Sequence, residues 1–263
     1  DRCKAIVLDA TRPGSEKPEA MVRGVAGLPP DELRSAVHDL LIAGIGSALF
    51  WAGRDLDDPR FEALASLGST VIVDSSRAAD GKASICKLAA INADTGRYVR
   101  DLSYMRLLPW QDMIAQFFDD GELARELPAI ARVELVSGSE PEAYYFAGWL
   151  ASRLDWKPCG RNELCNESGD TIAVAIERRG DPRRVRSVVL RSSASVFSAE
   201  LDATSPDLVC LTVTGRSPRD RRCAPLRDVD LVSLVEQAMF VPQRDAVFGE
   251  TLQMARAIID SGK

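Results

Sequence analysis

A single histidine, His38, stands in 263 residues. Its isolation removes most Ser–His and Cys–His nucleophile pairs and most metal sites, which need converging imidazoles. Six cysteines, at 3, 86, 159, 165, 210 and 223, contain no C-x-x-C pair. That spacing is neither a zinc ribbon nor a secreted disulfide framework, and mostly buried, reduced thiols are expected. There is no G-x-S-x-G elbow and no G-x-x-x-x-G-K phosphate loop. Gly44-Ile-Gly46 is the one dinucleotide-type candidate, and it lacks a third glycine, a preceding strand and a following helix, so it reads as a loop pair. No stretch reaches the roughly 18 apolar residues of a membrane helix. The closest, Leu40 to Gly53, is broken by Gly44, Gly46 and Gly53. A net charge of −6 and a pI near 5.1 argue against a general nucleic-acid or anionic-membrane binder, which needs a basic face. No cofactor and no metal are expected. No secretory signal opens the chain, so a cytoplasmic location is expected; the start at Asp1, entering a strand-like run at once, suggests that upstream sequence is missing.

What is present is ordinary globular material, 46% hydrophobic and 27% charged. Ala5-Ile-Val-Leu8 reads as a buried parallel strand. Asp31 caps a helix carrying Leu33, Val37, Leu40 and Leu41, with His38 beside that stripe, packed or facing solvent. Ser47–Trp51 is the next strand; Asp58-Pro59 opens a helix that Gly68 ends. Thr70-Val-Ile-Val73 is a strand closing at Asp74-Ser75-Ser76, and residues 83–91 resume a helical period. Strand and helix alternate, which predicts an α/β N-terminal domain, a Rossmann-like parallel sheet with helices, over residues 1–130.

The organising stretch is Asp101 to Phe118. Trp110, Met113, Ile114, Phe117 and Phe118 form one stripe of a helix, with Pro109 in its first turn. Asp101, Ser103, Tyr104 and Arg106 lie in a polar lead-in loop. A domain boundary is expected near 128–140, where Pro128 and Ser137-Gly-Ser-Glu-Pro141 flank a short strand, Arg132–Val136. Ser139 and Glu142 then have capping-box spacing for a helix carrying Tyr145, Phe146, Trp149, Leu150, Leu154 and Trp156. Residues 131–263 are expected to form a smaller α+β domain with an antiparallel meander and C-terminal helices. The strand candidates are 171–177, 185–191, 196–203 and 208–214, and the helices 229–240 and 246–259. Cys159 and Cys165 share a polar loop and are read either as a redox pair or as inert thiols. Residues 176–223 carry ten arginines against six acids: a charged sheet edge, or a patch for an acidic or phosphorylated partner.

Asp101, Leu102, Ser103, Arg106, Leu107, Trp110, Gln111, Ala115, Phe118 and Asp119 resemble the D-L-x-W-x-R-L-x-x-W-[RQ]-[ED]-x-x-A-x-x-F-D motif of the OpcA family, with Tyr104 in place of its tryptophan. Phe50-Trp51, Pro59 and Val71-Ile-Val-Asp74-Ser75-Ser76 are similar to further family segments, as are Gly148-Trp-Leu-Ala-Ser-Arg-Leu154 and Trp156. The resemblance implies a non-enzymatic effector that binds glucose-6-phosphate dehydrogenase and promotes its active form in the oxidative pentose phosphate pathway. It also ties photosynthetic members to thioredoxin, which singles out Cys159 and Cys165. On this reading Asp101, Ser103, Tyr104, Arg106, Trp110, Trp149 and Arg153 are partner-binding or domain-junction candidates. A sugar-phosphate or nucleotide sensor built on Asp74-Ser75-Ser76, with no dehydrogenase partner, is the alternative.

Overall fold

A computed structural model describes residues 5–9, 21–22, 28–39, 41, 47–93, 97–180, 184–215, 220–226, 229–240 and 245–262. In chain order the elements are β1 (Ala5–Asp9), β2 (Met21–Val22), α1 (Pro30–His38), β3 (Ser47–Trp51), α2 (Pro59–Ala65), β4 (Thr70–Val73), α3 (Gly81–Ala93) and β5 (Tyr98–Asp101). Then come α4 (Leu102–Met105), α5 (Leu108–Ala115), α6 (Gly121–Ala124), β6 (Ile130–Ser137), α7 (Glu140–Arg153), β7 (Lys157–Gly160), β8 (Glu163–Cys165) and β9 (Thr171–Arg178). The chain closes with β10 (Val185–Ser192), β11 (Ser195–Leu201), β12 (Leu208–Gly215), β13 (Asp220–Pro225), α8 (Leu231–Phe240) and α9 (Ala246–Ser261).

Two compact units are present. The first holds residues 1–102 and 230–245, the second 103–229 and 246–263. Residue 130, where a boundary was expected, lies inside the second unit. The first unit's sheet runs β2-β1-β3-β4-β5. β3, β4 and β5 are parallel and joined through α2 and α3, as the alternation predicted. The expectation for the first strand is corrected: β1 pairs antiparallel with β3, Val7 opposite Leu49. A short apolar run is the same in either direction, so its composition could not decide. Val71, Ile72 and Val99 are fully buried, as parallel central strands require. Asp58 caps α2 by accepting the Arg60 N–H at 2.9 Å. The hydrogen bonds and charge of Arg60 hold its carboxyl below the usual range. The His38 side chain is solvent-facing. Gly44 and Gly46 lie outside the described residues.

The second unit is the larger, not the smaller, and its sheet is mixed: β13-β12-β11-β10-β6-β9-β8-β7. The four-strand meander is corrected as well. β10 to β13 do form one, but β6 is inserted between β10 and β9 and runs parallel to β9. The connection from β6 to β9 passes through α7, giving a βαβ crossover that period-2 strand spacing does not reveal. One face of the sheet is dry: Val133, Leu135, Ile172, Val174, Val188, Leu190, Phe197, Ala199, Leu211 and Val213 are all buried. Phe117 and Phe118 pack on Phe197 from this side, with ring centroids 5.7 and 4.9 Å apart. No helix among the described residues is long and apolar enough to cross a membrane.

Helices α7 and α9 pack unusually close, and Gly148 is the reason. A Cβ there would stand 2.6 Å from the Thr251 carbonyl oxygen and 2.8 Å from the Ala255 nitrogen. Both obstacles are backbone of α9 and cannot swing aside. Gly148→Ala gains about 1 kcal/mol of helix propensity but overpacks a rigid crossing, which costs about 1–3 kcal/mol. Urea denaturation should therefore show a net loss of stability for this variant; unchanged or greater stability would contradict the close crossing.

Candidate functional site

The motif residues fall into two clusters, one in each unit. In the first unit, β4 and β5 end side by side, Val73 opposite Asp101. Their carboxyl ends are where ligands of parallel sheets usually sit. The Ser75 N–H donates to Asp101 Oδ1 at 3.1 Å, and the Ser76 hydroxyl donates to Asp74 Oδ1 at 2.6 Å. Both carboxylates thus serve a tight 3-10 turn, Ser75–Arg77. Arg100 is buried beside them in sequence; burial pushes its guanidinium below the ordinary arginine value, while Asp245 opposes that shift. The Ser75 hydroxyl is buried with no hydrogen-bond partner among the described residues.

In the second unit Arg106 is central. Its Nε donates to Glu142 Oε1 at 3.0 Å and an Nη donates to the Ser103 hydroxyl at 3.3 Å. The Glu142 side chain is 1% exposed and that of Arg106 17%. A buried carboxylate of this kind persists only when paired. The lead-in loop expected over 101–106 is instead the end of β5 at Asp101 followed by a helical turn, α4, which sets Ser103 and Arg106 three residues apart on one side. The expected capping box is half formed. Ser139 accepts the Glu142 N–H, at 3.4 Å, but the Ser139 N–H donates to the Ser137 hydroxyl. Glu142 is thereby diverted from its own helix end to Arg106, 36 residues earlier.

An aromatic group sits on the same elements. Tyr104 meets Tyr145 edge-on at 6.0 Å and Phe248 of α9 at 4.8 Å. All three are 3% exposed or less. Trp110 is buried in α5, and the α5 stripe continues through Met113 and Ile114 as expected. Phe117 and Phe118 belong to a 3-10 turn, Gln116–Asp119, and not to α5 itself. Trp149 is half-buried against Phe146, with ring centroids 5.4 Å apart, and Arg153 forms an ion pair with Glu250. Ser103, Tyr104 and Arg106 are therefore gathered at one place. Asp101 belongs to the other unit's turn, and Trp149 and Arg153 lie farther along α7. The sequence singled out Arg106 but missed its partner Glu142, which the capping-box spacing claimed for a local role.

The cysteine region also differs from expectation. Residues 157–165 form a β-hairpin, not an open loop, and Cys159 and Cys165 are disulfide-bonded with their Cα atoms 5.8 Å apart. Asn162, at φ 57°, supplies the left-handed turn. Cys210 and Cys223, expected as reduced thiols, are bonded too, being directly opposite on β12 and β13. Within the arginine-rich region, Arg191 shares Glu134 with Arg132, Arg179 pairs with Glu177, Arg184 with Asp207 and Arg221 with Asp202. No group of three potential metal-binding side chains occurs among the described residues.

Residues 97–252 match the family described as the C-terminal domain of the glucose-6-phosphate dehydrogenase subunit. A relative from Nostoc punctiforme, described as an OxPP cycle protein OpcA, is 31% identical over 192 residues, covering 72% of this chain and 40% of that protein. One from Synechococcus elongatus, with the same description, is 27% identical over 243 residues, covering 82% and 54%. The chain thus spans about half or less of these relatives' length. Among solved structures, a 3-ketoreductase from Actinomadura kijaniata in complex with NADP superposes with a TM-score of 0.55 at 13% identity, covering 86% of this chain and 79% of that one. An oxidoreductase from Sinorhizobium meliloti gives 0.53 at 10%, covering 90% and 82%. At such identities the likeness is one of fold.

Removing one member of the Arg106–Glu142 pair leaves the other charge buried, a loss of about 3–5 kcal/mol. Replacing both with apolar groups removes that penalty. In a cycle of Arg106→Met, Glu142→Leu and the double variant, denaturation should show the double far less destabilised than the sum of the singles. Additive losses would contradict a direct pair.

Proposed function

We propose a function from one premise: the chain belongs to the glucose-6-phosphate dehydrogenase subunit family, OpcA. Its role is that of a non-catalytic effector, which binds glucose-6-phosphate dehydrogenase and favours the enzyme's active form in the oxidative pentose phosphate pathway. The observation that carries this reading is how the family-motif residues are used. Arg106 bonds to both Ser103 and Glu142, Tyr104 packs edge-on to Tyr145 and tilted against Phe248, and Gly148 admits α9. Groups that acid–base chemistry would leave poised for a substrate are committed to holding a scaffold rigid. A rigid scaffold suits binding by preorganisation, because little ordering entropy is then lost on association.

An effector changes an enzyme's activity only through a difference in affinity for its states. On this reading Asp101, Ser103, Tyr104, Arg106 and Trp110 act as positioning residues beneath the binding surface, whereas the half-buried Trp149 and exposed Arg153 can touch the partner. The sensor alternative has less support, since Asp74 and Asp101 already serve their own turn.

Cys159 and Cys165 form the switch in this reading. A dithiol reductant such as thioredoxin delivers two electrons and two protons, leaves two thiols on β7 and β8, and is itself oxidised to a disulfide. Release of that hairpin then alters affinity for the dehydrogenase.

Two measurements test these statements. Mixed with the dehydrogenase of its own organism, the full-length protein should co-elute with it and raise its rate at sub-saturating glucose 6-phosphate. The absence of both effects contradicts the effector reading. A Cys159→Ser/Cys165→Ser variant should bind with an affinity indifferent to reductant, while the parent responds. Equal reductant sensitivity in the two proteins removes this pair from the switch.

A further inference from the structure

The second sheet has a face that its helices do not use. Side chains alternating with the dry ones emerge on the opposite side, and register aligns them in three rows across the long strands. The first row is Ala173, Arg132, Arg191, Val196 and Thr214. The middle row is Ala175, Glu134, Val189, Ser198, Thr212 and Arg221. The third is Glu177, Val136, Ser187, Glu200, Cys210 and Cys223. Exposure returns on this side: Arg132, Glu177, Arg191, Glu200, Arg221 and Cys223 are exposed, and most of the small residues between them are half-buried. The rows between the charged ends are mostly Ala, Val, Ser and Thr around Glu134, with no lysine and no aromatic ring, and toward β12 and β13 the face is hollowed between Glu200, Cys210, Thr212 and Arg221.

We infer that this face is an association surface, and that its occupant is the same face of a second copy of this chain. Three properties support self-association. The first is area. Six long strands at about 4.8 Å spacing and about 3.3 Å per residue present roughly 650 Å² before the β7–β8 hairpin is added. One side of a stable interface buries about 800 Å². The second is charge. Arg132, Arg191 and Arg221 stand against Glu177, Glu200, Glu134 and the Asp202 that pairs with Arg221, three cations to four anions, so the face is close to neutral on a chain of net −6. Two copies meet here without the repulsion that the rest of the surface imposes.

The third property is the arrangement of those charges. The first row holds Arg132 and Arg191, and the third holds Glu177 and Glu200. A two-fold axis along the middle row flips one sheet over the other and lays each first row on its partner's third row. In strand order β11-β10-β6-β9, Arg191 then stands one strand from the partner's Glu200, and Arg132 one strand from the partner's Glu177. One strand is about 4.8 Å, within reach of an arginine side chain. Glu134 and Arg221 would each meet their own copy, but each Glu134 is already bonded to Arg191 and Arg132, whose hydrogen bonds and charges hold its carboxyl below the usual range, and each Arg221 is paired with Asp202. The surface is thus self-complementary, as an isologous dimer requires.

Sedimentation of the full-length protein should give twice the monomer mass and a concentration-dependent dimer. Ser198→Arg places a long cation on the axis, at a half-buried position where folding tolerates it. It should weaken the dimer on the order of tenfold or more, about 1.4 kcal/mol, with unchanged circular dichroism. Glu200→Arg, which sets a cation against the partner's Arg191, should also weaken it. A protein that stays monomeric overturns the inference, as does a dimer indifferent to Ser198→Arg. So does a monomer whose capture by the dehydrogenase alone is lost in Ser198→Arg, which would assign the face to the enzyme.

Discussion

The second unit depends on one buried ion pair. Glu142 is almost fully enclosed at the head of α7, immediately after the β6 strand that divides the eight-stranded sheet. A lone carboxylate there would be strongly destabilising. Arg106 neutralises it, and Ser103 steadies Arg106 from the preceding helical turn. This contact joins the segment just past β5 to the start of the crossover helix. It also brings Tyr104 up against Tyr145 and Phe248, so that α4, α7 and α9 meet at one aromatic group.

The close crossing of α7 and α9 follows from that placement. Gly148 lies two turns beyond Glu142 on the same helix, and its missing side chain lets α9 approach to backbone contact. α9 returns to the second unit after residues 230–245 have joined the first. The helices then close one face of a mixed sheet whose two edge strands are each covalently fastened to an inner neighbour, β7 to β8 and β13 to β12. Disulfides at both edges hold the strands that have pairing partners on one side only.

Much of this was legible in the sequence, and the larger misses share a cause. Local signals held: Asp58-Pro59 opens α2, Pro109 starts α5, and the stripe Trp110, Met113, Ile114 and Phe117 is buried. The parallel pairing of β3, β4 and β5 followed from the alternation, but other non-local pairings did not show. The direction of β1, the insertion of β6 beside β9, and the Cys210–Cys223 bond are matters of register between distant segments. Glu142 shows the limit most clearly, because its spacing from Ser139 fits a capping box while its carboxylate answers to Arg106. The motif named the important residues without saying what they hold. Arg106, read at first as a residue of an open polar approach, is the counter-charge of the crossover helix.

The effector reading requires a preference for one state of the dehydrogenase, and such a preference has a reciprocal form. If the chain tightens the dehydrogenase's hold on glucose 6-phosphate, then glucose 6-phosphate must tighten the enzyme's hold on the chain by the same factor. The most direct measurement is the equilibrium affinity of the full-length protein for its dehydrogenase, titrated with and without saturating glucose 6-phosphate. The account predicts tighter binding with the sugar phosphate, by the factor in which the effector lowers the sugar phosphate's own Kd. Binding that ignores the substrate would contradict it.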